Sequence, residues 1–265
     1  RNGTAGLVVT SAGTRMTLSG NLIESTLAEA TSEDTDESFA ARGIGIVVQD
    51  AASATLDGDA VSGNTRAGLL VLDETSNTTE IAVHSSLVEG TLGSGVANQD
   101  GQGVAVVNGR LDLESSLLQG NHSAGIVGWH SRMSIGSTLL RDNVIGKLAS
   151  DVETGDGLLA LLDSDVTIHD SLLNGNARAG MLIDASSGSV TGNRCVGNQF
   201  GIAVSNSPGL VVADDNTFLE NSQQNLLTDG SLPISNTPIM VPPFVMQNLP
   251  DLRPRINLVL QPVEL

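Results

Sequence analysis

LLNGNARAGMLID, residues 172–184, is the stretch that decides the fold. Nearly the same phrase stands at 60–73 as AVSGNTRAGLLVLD and at 117–130 as LLQGNHSAGIVGWH. Each copy holds two apolar runs, both too short for a helix, joined by a Gly-Asn turn. Self-similarity at a fixed period marks a repeat architecture. A glycine followed by an apolar run anchors each copy, at Gly6, Gly45, Gly68, Gly103, Gly125, Gly157, Gly180 and Gly201. The differences between successive anchors are 39, 23, 35, 22, 32, 23 and 21 residues. The short ones cluster near 22, and the long ones read as the same unit carrying an insertion.

Every unit contains three apolar runs. The first follows the anchor. The second is typified by Leu56, Leu113 and Ile168, and the third by Val61, Leu118 and Leu173. Three short strands per turn of the chain describe a triangular coil. Such coils stack in parallel register about 4.8 Å apart. Aligned by anchor, the next residue reads Leu7, Ile46, Leu69, Val104, Ile126, Leu158, Met181 and Ile202. The strand-two column runs Leu18, Leu56, Val83, Leu113, Ile135, Ile168 and Val190. The strand-three column runs Ile23, Val61, Val88, Leu118, Leu140, Leu173, Cys195 and Phe218. A continuous interior of this kind is one that no single repeat can bury alone. After strand three, Asn64, Asn121, Asn143, Asn176, Asn198 and Asn221 recur at the turn. Asparagine tolerates left-handed backbone, and its amide can bond an equivalent amide one rung away. The expectation is an all-β, right-handed parallel β-helix of about eight rungs over 1–230, with an extended Pro-rich tail over 231–265.

The pattern of Gly-apolar-x-apolar followed by spaced asparagines, as in NRCVGNQFG and NTFLEN, resembles the β-helix repeat of the pectin-lyase-like superfamily. That resemblance implies the fold over roughly 1–230. It implies little about function, because the superfamily includes lyases, hydrolases, epimerases, phage tailspikes and adhesins.

Composition narrows the function classes. The net charge is -18, which repels nucleic-acid phosphate and disfavours a nucleic-acid partner. No run of about 18 apolar residues exists, so no membrane span is expected. Cys195 is the only cysteine, so no intrachain disulfide can form. The opening RNGTAGLVV reads like the end of one more repeat, as expected of a piece of something longer. An extracellular or cell-surface location is the expectation.

Three features interrupt the repeat. Insertions at 27–44, 92–102 and 144–156 all enter between strand three and the next anchor. They carry oxygen ligands of the sort Ca²⁺ uses, at Asp34, Asp36, Asp100, Asp151, Glu153 and Asp156. They are candidate Ca²⁺ sites, set against the reading of solvated acidic loops. Secondly, the middle residue of strand one should face outward yet is apolar: Val8, Val47, Leu70, Ala105, Val127, Leu159, Leu182 and Ala203. A bare stripe of that length calls for a cover. Thirdly, 231–265 holds seven of the eight prolines together with IMVPPFVM and INLVLQPVEL. The tail is expected to pack on the rod or cap it. The alternative is an oligomer interface built from stripe or tail.

Candidate chemistry gathers just past strand one. Asp73, Asn108 and His130 share one column, Arg110 and Arg132 another, and Glu74 and Trp129 stand beside them. Arg110 and Arg132 suit a uronate carboxylate, His130 a general base with Asp73, and Trp129 a stacking surface for a sugar ring with Glu74 and Asn108 as polar contacts. The competing reading is a polar turn with inter-rung ion pairs. The superfamily's hydrolase and epimerase motifs are absent. Two functional expectations follow. One is a non-catalytic surface solenoid with a structural, adhesive or interaction role, its partner a polysaccharide or another surface protein. The alternative is a lyase or epimerase acting on an acidic polysaccharide.

Overall fold

The computed structural model describes residues 5–26, 43–73, 78–93, 101–147 and 153–228. They form a right-handed parallel β-helix with no helix among the described residues. Three sheets run the length of the rod, of nine, eight and eight strands, and each strand pairs with its counterparts one coil away. Eight complete coils are present, and Gln224–Thr228 adds a ninth strand to the first sheet.

The register is the one the anchors specify. Ile46 pairs with Leu69, Leu69 with Val104, and Val104 with Ile126. Leu113 stacks between Val83 and Ile135, and Leu118 between Val88 and Leu140. These residues form one buried cluster along the axis, Cys195 included. Period-2 alternation sets this up: strands of the second sheet, such as Arg110–Glu114 and Asp165–His169, bury every second residue and expose the rest.

The anchor glycines answer to close approach. A Cβ on Gly68 would lie 2.6 Å from the carbonyl oxygen of Gly103, and one on Gly103 2.6 Å from that of Gly125. On the other side the same Cβ would meet the corner amides, 2.8 Å from Asn121 Nδ2 in the case of Gly103. Only hydrogen fits between the next rung and the asparagine stack.

The corners are hydrogen-bonded ladders. Asn143 donates from N and Nδ2 to Asn176 Oδ1 at 3.4 and 2.7 Å, and Asn176 does the same to Asn198 at 2.9 and 3.1 Å. Several of these amides also reach a strand-three carbonyl, as Asn176 Nδ2 does to Leu140 O at 3.1 Å and Asn198 Nδ2 to Leu173 O at 3.0 Å. A second ladder, made largely of hydroxyls, turns the opposite corner. There Ser86 N donates to Ser116 Oγ, Thr138 N to Ser171 Oγ, Ser171 N to Asn193 Oδ1 and Asn193 N to Asn216 Oδ1. A third, Ser131–Ser164–Ser186–Ser207, turns the remaining one. Buried backbone donors that face no strand thus find side-chain acceptors. Among the described residues, four buried polar atoms have no partner: Gln49 Oε1, Asn64 Nδ2, Thr91 Oγ1 and His122 Nδ1.

The outward stripe of the first sheet is covered. Val47 and Val127 are 0 % exposed, Leu159 and Leu182 1 %, and they form a second cluster outside the axial core. The tail proposed as the cover, 231–265, lies outside the described residues.

Candidate functional site

The outer face of the second sheet is exposed along most of the rod. A concavity of about 600 Å³ lies over the leading ends of five of its strands, where Arg15, Ser53, Glu80, Arg110, Asp112 and Arg132 are among the residues that line it. Its chemistry comes from outward positions brought into line by register. Arg110 stacks between Glu80 and Arg132, and Asp112 between Ala82 and Ser134. Arg15 stands two rungs from Glu80, across Ser53. Arg132 meets Asp165 at 3.4 Å, both side chains more than half exposed, so this pair contributes little to stability. Arg15, Glu80 and Arg110 are exposed and make no ion pair among the described residues. Two arginines held one strand spacing apart repel each other and favour a ligand oxygen between them.

The constellation expected around these arginines is split by the corner between the first and second sheets. Arg110 and Arg132 are together in the concavity. Trp129 is on the first sheet, 5 % exposed within the covered outer cluster, and its ring is not an open platform. His130 and Asn108 stack at the corner itself with left-handed backbone, φ 47° and 52°. Asn108 Nδ2 donates to the Asp73 carbonyl at 3.0 Å. Asp73 is buried, and its Oδ2 accepts from N and Oγ1 of both Thr78 and Thr79 at 2.9–3.0 Å. A carboxylate holding four such donors closes a turn. Glu74 lies outside the described residues.

Among the described residues, the insertion at 144–156 is tied to the rod by a buried ion pair. Gly146–Lys147 and Glu153–Thr154 pair as an antiparallel ribbon. Asp156, at its base, is 0 % exposed and accepts from Arg178 Nε at 2.9 Å and Ala179 N at 3.0 Å. Arg178 also donates to the Glu153 carbonyl at 2.8 Å. Burial works against the Arg178 charge, but the attraction of Asp156 and its hydrogen bond outweigh it, and the pKa is raised. The Asp156 oxygens are therefore engaged by protein donors, a poor fit to a Ca²⁺ ligand. Glu153 is exposed at the ribbon. Asp34, Asp36, Asp100 and Asp151 lie outside the described residues. Among the described residues no group of three or more His, Cys, Asp or Glu is placed to hold a metal ion.

A second grouping escaped the sequence pattern because it needs a gap. On the second sheet, His84, Glu114, Gly136, His169 and Thr191 form one outward column. A Cβ at Gly136 would overlap Glu114 Oε2 and stand 2.9 Å from His169 Nε2. The two side chains lean into the missing side chain's space from either side. The available signal was a single glycine interrupting a polar column between a glutamate and a histidine.

No family model, no curated protein and no solved structure matches this chain. No helix among the described residues is long and apolar enough to cross a membrane.

Proposed function

We propose that the chain is a non-catalytic β-solenoid, secreted or displayed on a cell surface, with an adhesive or interaction role, and that its outer second sheet docks the partner. One observation carries this reading. The concavity on that sheet exposes Arg15, Glu80 and Arg110 without ion-pair partners among the described residues, beside Asp112 and Arg132. Charges that internal pairing leaves unused can bind a partner for little reorganisation. Their mixed signs sit on a protein of net charge -18, so the concavity is far less acidic than the whole. That suits a polysaccharide or a protein surface carrying both donors and acceptors. The resemblance to pectin-lyase-like β-helices agrees with an extended ligand lying on the rod.

The test is a binding screen of immobilised polysaccharides and surface-protein extracts against the wild type and an R110E/R132E variant. The expected result is one retained ligand class, with affinity reduced at least tenfold in the variant at unchanged melting temperature. Retention of nothing, or equal retention by both proteins, refutes the site. New chain ends released from a retained polysaccharide would replace the adhesive reading with the enzymatic one.

A further inference from the structure

The Glu114–His169 pair carries an inference independent of the concavity. His169 Nδ1 is 3.2 Å from Asp170 Oδ2. In the tautomer that carries the ring proton on Nδ1, toward Asp170 Oδ2, Nε2 presents its lone pair toward the Gly136 gap. Glu114 Oε2 enters the same gap from the neighbouring rung. Neither Nε2 nor the Glu114 carboxylate has a hydrogen-bond partner among the described residues. In that tautomer two lone-pair donors share the space over a glycine floor.

We propose that Glu114 and His169 bind a divalent transition-metal ion of the Zn²⁺, Ni²⁺ or Cu²⁺ class. One imidazole nitrogen with one carboxylate oxygen is the donor set of that class, whereas Ca²⁺ and Mg²⁺ take oxygen alone. A carboxylate on the distal ring nitrogen is the usual companion of a metal-binding histidine, because it sets the tautomer and raises the basicity of the other nitrogen. Asp170 occupies that place. Gly136 supplies the opening, since any larger residue would fill it. With two protein ligands, water completes the coordination, and the ion exchanges readily.

Calorimetric titration of the metal-free full chain with Zn²⁺ alone should show one site. Cu²⁺ at the same site should show nitrogen coupling from one imidazole in electron paramagnetic resonance. H169A and E114Q should each weaken the dissociation constant at least tenfold, and D170N by about 10–100-fold. G136A is the decisive variant. The atoms it displaces are the ends of two flexible side chains, so it should fold with an unchanged melting temperature and lose the metal. H84A, H122A and H130A should bind as the wild type does. Absence of a Zn²⁺ heat, absence of imidazole coupling, equal affinity for Ca²⁺, or binding that survives H169A or G136A overturns the assignment. Loss of binding in H84A overturns the two-ligand description.

Discussion

Thr91 is the flaw in an otherwise continuous ladder, and repairing it should stabilise the rod. Thr91 occupies the corner position that asparagine holds in the rungs around it. Asn64 lies on one side and Asn121 on the other. Thr91 N donates to Asn121 Oδ1 at 3.1 Å, so the backbone already has ladder geometry. The side chain does not complete it: Thr91 Oγ1 and Asn64 Nδ2 are both buried and have no partner among the described residues. Thr91→Asn places an Oδ1 where Asn64 can donate, as Asn121 does to Asn143 at 3.2 and 3.3 Å. An orphaned buried donor costs about 1–3 kcal/mol, and the orphaned hydroxyl disappears as well. Against this stands the loss of one buried methyl, about 0.8 kcal/mol. The two side chains are close in volume, so little repacking is required. The net gain should be about 2 kcal/mol, which for a chain of this size raises the melting temperature by about 4–8 °C. Circular dichroism melts of the wild type and T91N measure it. The gain must vanish when Asn64 is also replaced by leucine. An unchanged or lower melting temperature in a correctly folded T91N protein, or a gain that survives loss of Asn64, refutes the reasoning.

Three further outcomes are expected. Burial pushes the Cys195 thiol from 9.0 up to about 12, so the folded chain keeps its proton where the unfolded chain has lost it. Stability should therefore fall by about 1.4 kcal/mol per pH unit between those values, and pH-dependent urea melts of C195A should lack that component. Arg178→Met leaves Asp156 buried without its counter-charge. A loss of about 3–5 kcal/mol is expected, most of it recovered in the R178M/D156N double variant, and the cycle is read by denaturant titration. We propose that 231–265 covers the outer stripe of the first sheet. Truncation at residue 230 should then give a protein that aggregates in light scattering, whereas a soluble monomer with unchanged melting temperature removes the proposal.

The coil itself was legible from the residue string. Register in a parallel stack follows from which residues can share a dry column, and Leu7 through Ile202 leave one alignment in which every member is apolar. The asparagine corner was equally legible, since its residue type serves both the turn and the inter-rung bond. The hydroxyl ladders were not, because serine at a turn has many uses, and only the 22- and 33-residue reach of bonds such as Ser131–Ser164 and Ser164–Ser186 shows which one applies.

The candidate site divides along the same line. Arg110 and Arg132 share a column at a strand start, and one column of a sheet is a sequence property once the repeat is known. Trp129 and His130 are near neighbours of Arg132 in the chain, yet a corner stands between them. Adjacent residues on either side of a bend face different sheets, and only the path of the backbone assigns the faces. Glu114 and His169 are 55 positions apart and share one space because Gly136 leaves room between their rungs. A repeat specifies what recurs. The positions where recurrence fails, such as Thr91 and Gly136, acquire their chemistry from neighbours one coil away, and that proximity exists only once the coils are stacked.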